Sequence, residues 1–134
     1  MNLASYRNSM FLIVDNTDED KITFSFWLNN KFVQRTFKTT KNLGVLVCLE
    51  KLLSTLKLDL KDIKYLGVVV GVGRFTASRL GVTAVNTLAF SLKIPVVALP
   101  KNFDQNAALR SAKSARTGKY VVPAYSGEAR IGLK

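Results

Sequence analysis

Residues 65–99, YLGVVVGVGRFTASRLGVTAVNTLAFSLKIPVVAL, read as a strand, a glycine turn, a helix of about five turns and a second strand after Pro95. A strand-to-helix junction in an open α/β sheet is the usual place for function, and here it carries Gly71, Gly73, Arg74, Phe75, Thr76 and Arg79. The continuous apolar run Tyr65–Val70 suits a strand covered on both faces. In the helix from Thr76 to Leu92, apolar and small residues including Ala77, Leu80, Gly81, Val82, Ala84, Val85, Leu88, Ala89 and Leu92 fill an arc of about 200°. Arg79, Thr83, Asn86 and Thr87 lie opposite, with Phe90 as an apolar intruder. So wide an arc fits a helix sandwiched within its own domain or one that also meets a partner.

Upstream, MFLIVD (10–15) is a short apolar run ending in Asp15 and followed by the acidic turn Asn16–Asp20, as expected of a buried central strand. ITFSFWL (22–28) and KFVQRTFK (31–38) flank Asn29-Asn30, a hairpin signal. Asn42 can cap a helix running to about Lys57, on which Val45, Leu46, Cys48, Leu49, Leu52, Leu53 and Leu56 span an arc near ~160°, with Val47 outside it. Beyond Pro100 the pattern weakens: a short helix is expected over 103–115 and an edge strand over Lys119–Tyr125, where Pro123 is tolerable. Residues 1–9 and 127–134 are expected to be loosely ordered. A three-strand meander followed by two crossover helices predicts a mixed five-stranded sheet of order 3-2-1-4-5 with helices on its faces, the ribonuclease H-like topology shared by actin-like ATPase lobes.

The 134 residues suffice for one domain with an ordinary core. The single cysteine, Cys48, sits in an apolar helical run and reads as a buried thiol of a cytoplasmic protein. No apolar run reaches the roughly 18 residues of a membrane span. The net charge of +11 is uneven, because from Ile63 onward eleven basic residues face only Asp104 and Glu128. That half favours phosphate or an acidic partner. Lys101, Arg110, Lys113, Arg116, Lys119, Arg130 and Lys134 are candidate contacts of a basic RNA-binding module, although they lack a regular interleaving of stacking aromatics.

Several chemistries are disfavoured. With no histidine, the commonest general base and most catalytic zinc sites are missing, and one cysteine allows no thiolate cluster, so no metal or cofactor is expected. A nuclease of this topology would need carboxylates where Gly71 ends its strand. The turn Asp15–Asp20 has four carboxylates in six residues and a single hydroxyl, Thr17, which would repel a triphosphate. Gly71-Val72-Gly73 is half a dinucleotide fingerprint, but Thr76 stands for its third glycine and Pro95 for its acid.

Read whole, GVGRFTASRLG (71–81) resembles the GPGSFTGLRIG signature of the TsaB/YeaZ family, the bacterial tRNA threonylcarbamoyladenosine biosynthesis protein B, with Gly71, Gly73, Phe75, Thr76, Arg79 and Gly81 identical. LIVDNTDED resembles the family's opening strand and Asp-Thr-Ser turn, and NTLAFSLKIPVVAL its helix exit and next strand. Val72, Arg74 and Ala77 replace the family's proline, serine and glycine. The resemblance covers about residues 10–100 and implies a single N-terminal lobe, without the family's usual second lobe. It further implies a non-catalytic subunit that pairs with a TsaD-like catalytic subunit, which modifies adenosine 37 of tRNAs, joined by a TsaE-like ATPase. Cys48, Leu52, Val82, Val85, Asn86 and Ala89 are the expected partner contacts, and without the partner the exposed helices would form a homodimer.

Overall fold

The computed structural model describes residues 10–28, 30–38, 44–71 and 75–122, with 75–78 given by backbone alone. At its centre lies β1 (Met10–Asp15), antiparallel to β2 (Lys21–Leu28) on one side and parallel to β4 (Ile63–Val69) on the other. β3 (Lys31–Lys38) pairs antiparallel with β2, and β5 (Val96–Leu99) pairs parallel with β4, giving the expected order β3-β2-β1-β4-β5. The β2–β3 register brings Leu28 opposite Lys31, and Asn30 takes the left-handed conformation that this tight turn requires (φ 66°).

Every residue from Met10 to Val14 is buried, and the strand's two-residue period divides them between the two sides of the sheet. Met10, Leu12 and Val14 join Ile22, Phe24, Phe26, Leu66 and Val68 beneath two helices, α1 (Val45–Leu56) and α2 (Phe75–Leu92). Phe11 and Ile13 join Val69 and Leu99 beneath α3 (Gln105–Ser114), which contributes buried Ala108 and Ala112 and half-buried Leu109. On this second face Trp27 stacks on Phe11 at 5.1 Å and tilts against Phe32 at 4.8 Å. Large aromatic surface thus substitutes for helix cover towards the β2–β3 edge.

The helix ends follow their local chemistry. α1 begins at Val45 with Gly44 as its N-cap, later than the start expected from Asn42, which lies outside the described residues. Lys57 closes it in the left-handed conformation, donating its backbone N–H to the carbonyls of Leu53 and Ser54. A 3-10 turn (Leu60–Asp62) then leads into β4, and buried Asp62 accepts the Asp59 backbone N–H at 2.8 Å. Lys93 ends α2 as Lys57 ends α1, just before Pro95. Asp104 caps α3 by accepting the Ala107 N–H at 2.9 Å.

The expected edge strand over Lys119–Tyr125 is not formed in its described part, residues 119–122. The Val121 backbone pairs instead with the Asn86 side chain, which donates to the Val121 carbonyl at 2.8 Å and accepts its N–H at 3.0 Å. An amide side chain offers one donor and one acceptor side by side, so it replaces a neighbouring strand at this point.

The packing makes two testable demands. Cys48 is fully buried, and burial pushes its thiol pKa up, with only partial offset from the Lys51 charge. The native chain should therefore react with a neutral-pH thiol reagent at least ~100-fold more slowly than the denatured chain, a protection set by local opening. Gly81 faces the β1 turn so closely that an added Cβ would sit 2.9 Å from the Asn16 Cβ. Ordinarily Gly→Ala in a helix gains about 1 kcal/mol. Here overpacking costs about 1–3 kcal/mol, so Gly81→Ala should lower stability in urea titration rather than raise it.

Candidate functional site

The ends of β1 and β5 converge at the C-terminal edge of the parallel strands, where open α/β sheets ordinarily place their ligands. Asp15 turns its carboxylate back on its own loop, accepting the Thr17 N–H at 3.0 Å and the Thr17 hydroxyl at 2.6 Å. Its other oxygen accepts Lys101 Nζ at 2.7 Å. Lys101 follows Pro100 at the exit of β5 and also reaches Asp18 Oδ2 and Thr17 Oγ1, each at 3.0 Å. Partial burial opposes the charge on Lys101, but the hydrogen bonds and attraction of Asp15 and Asp18 outweigh it and raise its pKa. The acidic turn thus already holds a cation from its own chain. Lys101, a candidate RNA contact on charge alone, is engaged in this lock.

The last glycine of the glycine-rich motif packs against the same turn. Gly71 adopts a left-handed backbone (φ 89°) that a side chain would strain, while Val72, Gly73 and Arg74 lie outside the described residues. Phe75 and Thr76 open α2, and Arg79 is exposed one turn further on. Gly81 is buried against Asn16, so one role of the motif's last glycine is to let α2 approach the β1 turn at backbone distance.

The residues expected to meet a partner are placed differently. Cys48, Leu52, Val82, Val85 and Ala89 all lie in the core between the helices and the sheet, and half-buried Asn86 is engaged with Val121. Their helix faces are wide because the sheet and the neighbouring helix both need covering. Among the described residues, the large apolar side chains that remain exposed are others: Leu46 and Val47 on α1, Leu60 in the 3-10 turn, Leu80 and Phe90 on α2, and Tyr120 and Val122 beyond α3. Leu46, Val47, Leu49, Leu53, Leu60 and Leu88 line an open groove of about 710 Å³, with Glu50 and Asp59 also on its walls. Sequence periodicity put Leu46 inside the apolar arc and Val47 outside it. Val47, outside the arc of α1, and Phe90, which breaks the polar face of α2, are the sequence signals of exposed apolar surface.

Of the remaining basic candidates, Arg110 and Lys113 are exposed on α3, and Arg116 and Lys119 on the segment after it. Arg130 and Lys134 lie outside the described residues. Among the described residues no group of three or more metal-ligating side chains assembles, and no helix is long and apolar enough to cross a membrane.

The Lys101 lock has a measurable consequence. Its side chain is 40% exposed, so solvent screening limits its worth. Lys101→Met should destabilise the fold by about 1 kcal/mol at low salt, and less as salt rises. Because folding raises the lysine pKa, the stabilisation is complete below the unfolded value of about 10.4 and is lost as pH climbs through the folded value. Urea titrations of both proteins from neutral to strongly alkaline pH check both points: their difference should stay level and then vanish.

Comparison with known proteins matches residues 41–127 to the family model described as TsaD: tRNA N6-adenosine threonylcarbamoyltransferase. The tRNA threonylcarbamoyladenosine biosynthesis protein TsaB of Buchnera aphidicola is 34% identical over 59 residues, which is 44% of this chain and 28% of that protein. Among solved structures, YeaZ from Pseudomonas aeruginosa superposes with a TM-score of 0.62 at 21% identity, covering 78% of this chain and 48% of the other. A second Pseudomonas aeruginosa structure, titled an uncharacterized protein with similarity to peptidase YEAZ, gives 0.61 at 19% identity, covering 79% of this chain and 49% of its own. The chain thus spans about half the length of the structures it resembles, and the actin-like, ribonuclease H-like lobe is common to them. On motif, strand order and family match together, the chain belongs to the TsaD family of tRNA N6-adenosine threonylcarbamoyltransferase proteins, and within it to the TsaB/YeaZ group.

Proposed function

We propose that this chain is a non-catalytic scaffold subunit of the tRNA N6-threonylcarbamoyladenosine machinery, a cytoplasmic protein that docks on a TsaD-like catalytic subunit. A TsaE-like ATPase would join that assembly, and tRNA would reach it through the catalytic partner. The observation that carries this reading is the groove between α1 and α2. Leu46 and Val47 are 48% and 40% exposed and stand outside the lobe's buried core, on the wall of this groove. Exposed apolar walls with two carboxylates beside them suit a partner helix that carries apolar and basic residues.

The chemistry at the sheet's edge supports the non-catalytic part. The chain contains no histidine, and the turn that would have to cradle a phosphate presents Asp15 and Asp18 with Lys101 already bound between them. A triphosphate entering there would have to displace that lysine against carboxylate repulsion. In the absence of its partner the same groove would bring two copies together as a homodimer.

Co-expression with the TsaD-like subunit of the same organism, followed by size-exclusion chromatography, tests the reading. The wild-type chain should co-elute with it. Val47→Asp and Leu46→Asp should each weaken the complex at least ~30-fold while leaving the isolated lobe's melting temperature nearly unchanged, as expected for hot-spot residues outside the core. Full co-elution of both variants would overturn the placement. Val82→Arg or Ala89→Arg would not serve, because a charge at either buried position should unfold the lobe itself.

A further inference from the structure

The basic second half scatters its aromatics along the chain, and residue order alone does not show which of them share a surface. Folding brings two of them together from distant elements. Phe90, near the end of α2, and Tyr120, beyond α3, meet with ring centroids 6.4 Å apart and planes inclined by 56°. Phe90 is 69% exposed and Tyr120 43% exposed. The rings are tilted rather than stacked on each other, and both keep surface in solvent.

The pair is held in place by the Asn86 clamp. Both backbone groups of Val121 are bonded to the Asn86 amide, and its side chain is buried against the helices. A residue so fixed in extended chain directs its neighbours Tyr120 and Val122 away from the core. Basic residues stand next to both rings along the backbone. Lys93 closes the last turn of α2, its N–H directed at the Phe90 carbonyl at 3.4 Å. Lys119 precedes Tyr120 and is turned back towards Arg116 by a backbone bond of 3.4 Å, with Gly118 in the left-handed conformation between them. All three cations are exposed, and among the described residues no carboxylate pairs with them. Asp104, one of only two acids after Ile63, is engaged in capping α3.

We propose that Phe90 and Tyr120, flanked by Lys93, Arg116 and Lys119, form a stacking platform for single-stranded nucleic acid. Exposed π faces take bases of any identity, and the surrounding ammonium and guanidinium groups take the phosphates between them. An acidic protein would use the cations but has no need of two exposed aromatic faces, which is why the observations favour nucleic acid. The proposal goes beyond the scaffold reading by giving the chain a nucleic-acid contact of its own.

Fluorescence anisotropy with a labelled single-stranded oligoadenylate RNA of about 12 nucleotides and the full chain tests it, with a salt series from about 50 mM upward. The wild-type chain should bind at low salt. Phe90→Ala and Tyr120→Ala should each weaken binding about fivefold or more. Lys119→Ala should weaken it and lower the log–log salt slope by about 0.7. Asn86→Ala, which frees Tyr120 without touching a charge, should weaken binding with little change in that slope. No binding at low salt, or equal binding by the folded Phe90→Ala/Tyr120→Ala double variant, would overturn the proposal. So would displacement of the RNA by polyaspartate as effectively as by unlabelled RNA, which would point to an acidic protein. Co-elution with the catalytic subunit, read through Val47→Asp, is a separate measurement, so either proposal can fail while the other stands.

Discussion

A central strand covered on both faces is the constraint from which the other features follow. β1 leaves no side chain of Met10–Val14 in water, so alternate residues must find apolar cover on opposite sides of one sheet. That divides the lobe into three layers, with α1 and α2 on one face and α3 with the Phe11–Trp27 stack on the other. It also sets where β1 ends. Asp15 emerges at the C-terminal edge of the parallel strands beside the exit of β5, which brings Lys101 within reach across most of the chain's length.

The same edge accounts for the motif's glycine at position 81. A helix crossing over the end of β1 can lie close to it only if no side chain intervenes, and Gly81 against Asn16 provides that approach. A turn rich in carboxylates and a helix packed tightly on it form a structural joint, with Lys101 neutralising part of the charge collected there. Chemistry of this kind stabilises a lobe and leaves its outer surfaces for recognition, which is consistent with both proposals made for them.

Those outer surfaces were the least legible part of the sequence. Strand alternation and helical period identified the elements to within a few residues, because burial on a periodic backbone imprints itself directly on residue order. Periodicity cannot distinguish apolar cover for the lobe's own sheet from apolar surface for another molecule. Cys48, Leu52, Val82, Val85 and Ala89 carried the strongest pattern and proved to be core. Leu46 and Val47, adjacent in sequence and split by the predicted arc, are both on the groove. The expected edge strand at Lys119 failed for a similar reason: its backbone partner is the Asn86 side chain, and nothing in the local sequence of either segment announces the other.

By itself, then, the sequence determined the element order, the mixed sheet, the burial of β1 and the identity of the glycine motif, since each depends on near neighbours and on the two backbone periods. Tertiary structure alone decided which cation meets the acidic turn, which apolar residues stay in water and which aromatics become neighbours. Lys101 and Asp15, or Phe90 and Tyr120, are far apart in the chain, and their meeting depends on strand order and on the path taken beyond α3. Charge composition foretold a basic half. Only the fold sorted those charges, placing Lys101 in an internal lock and Lys93 and Lys119 beside exposed rings.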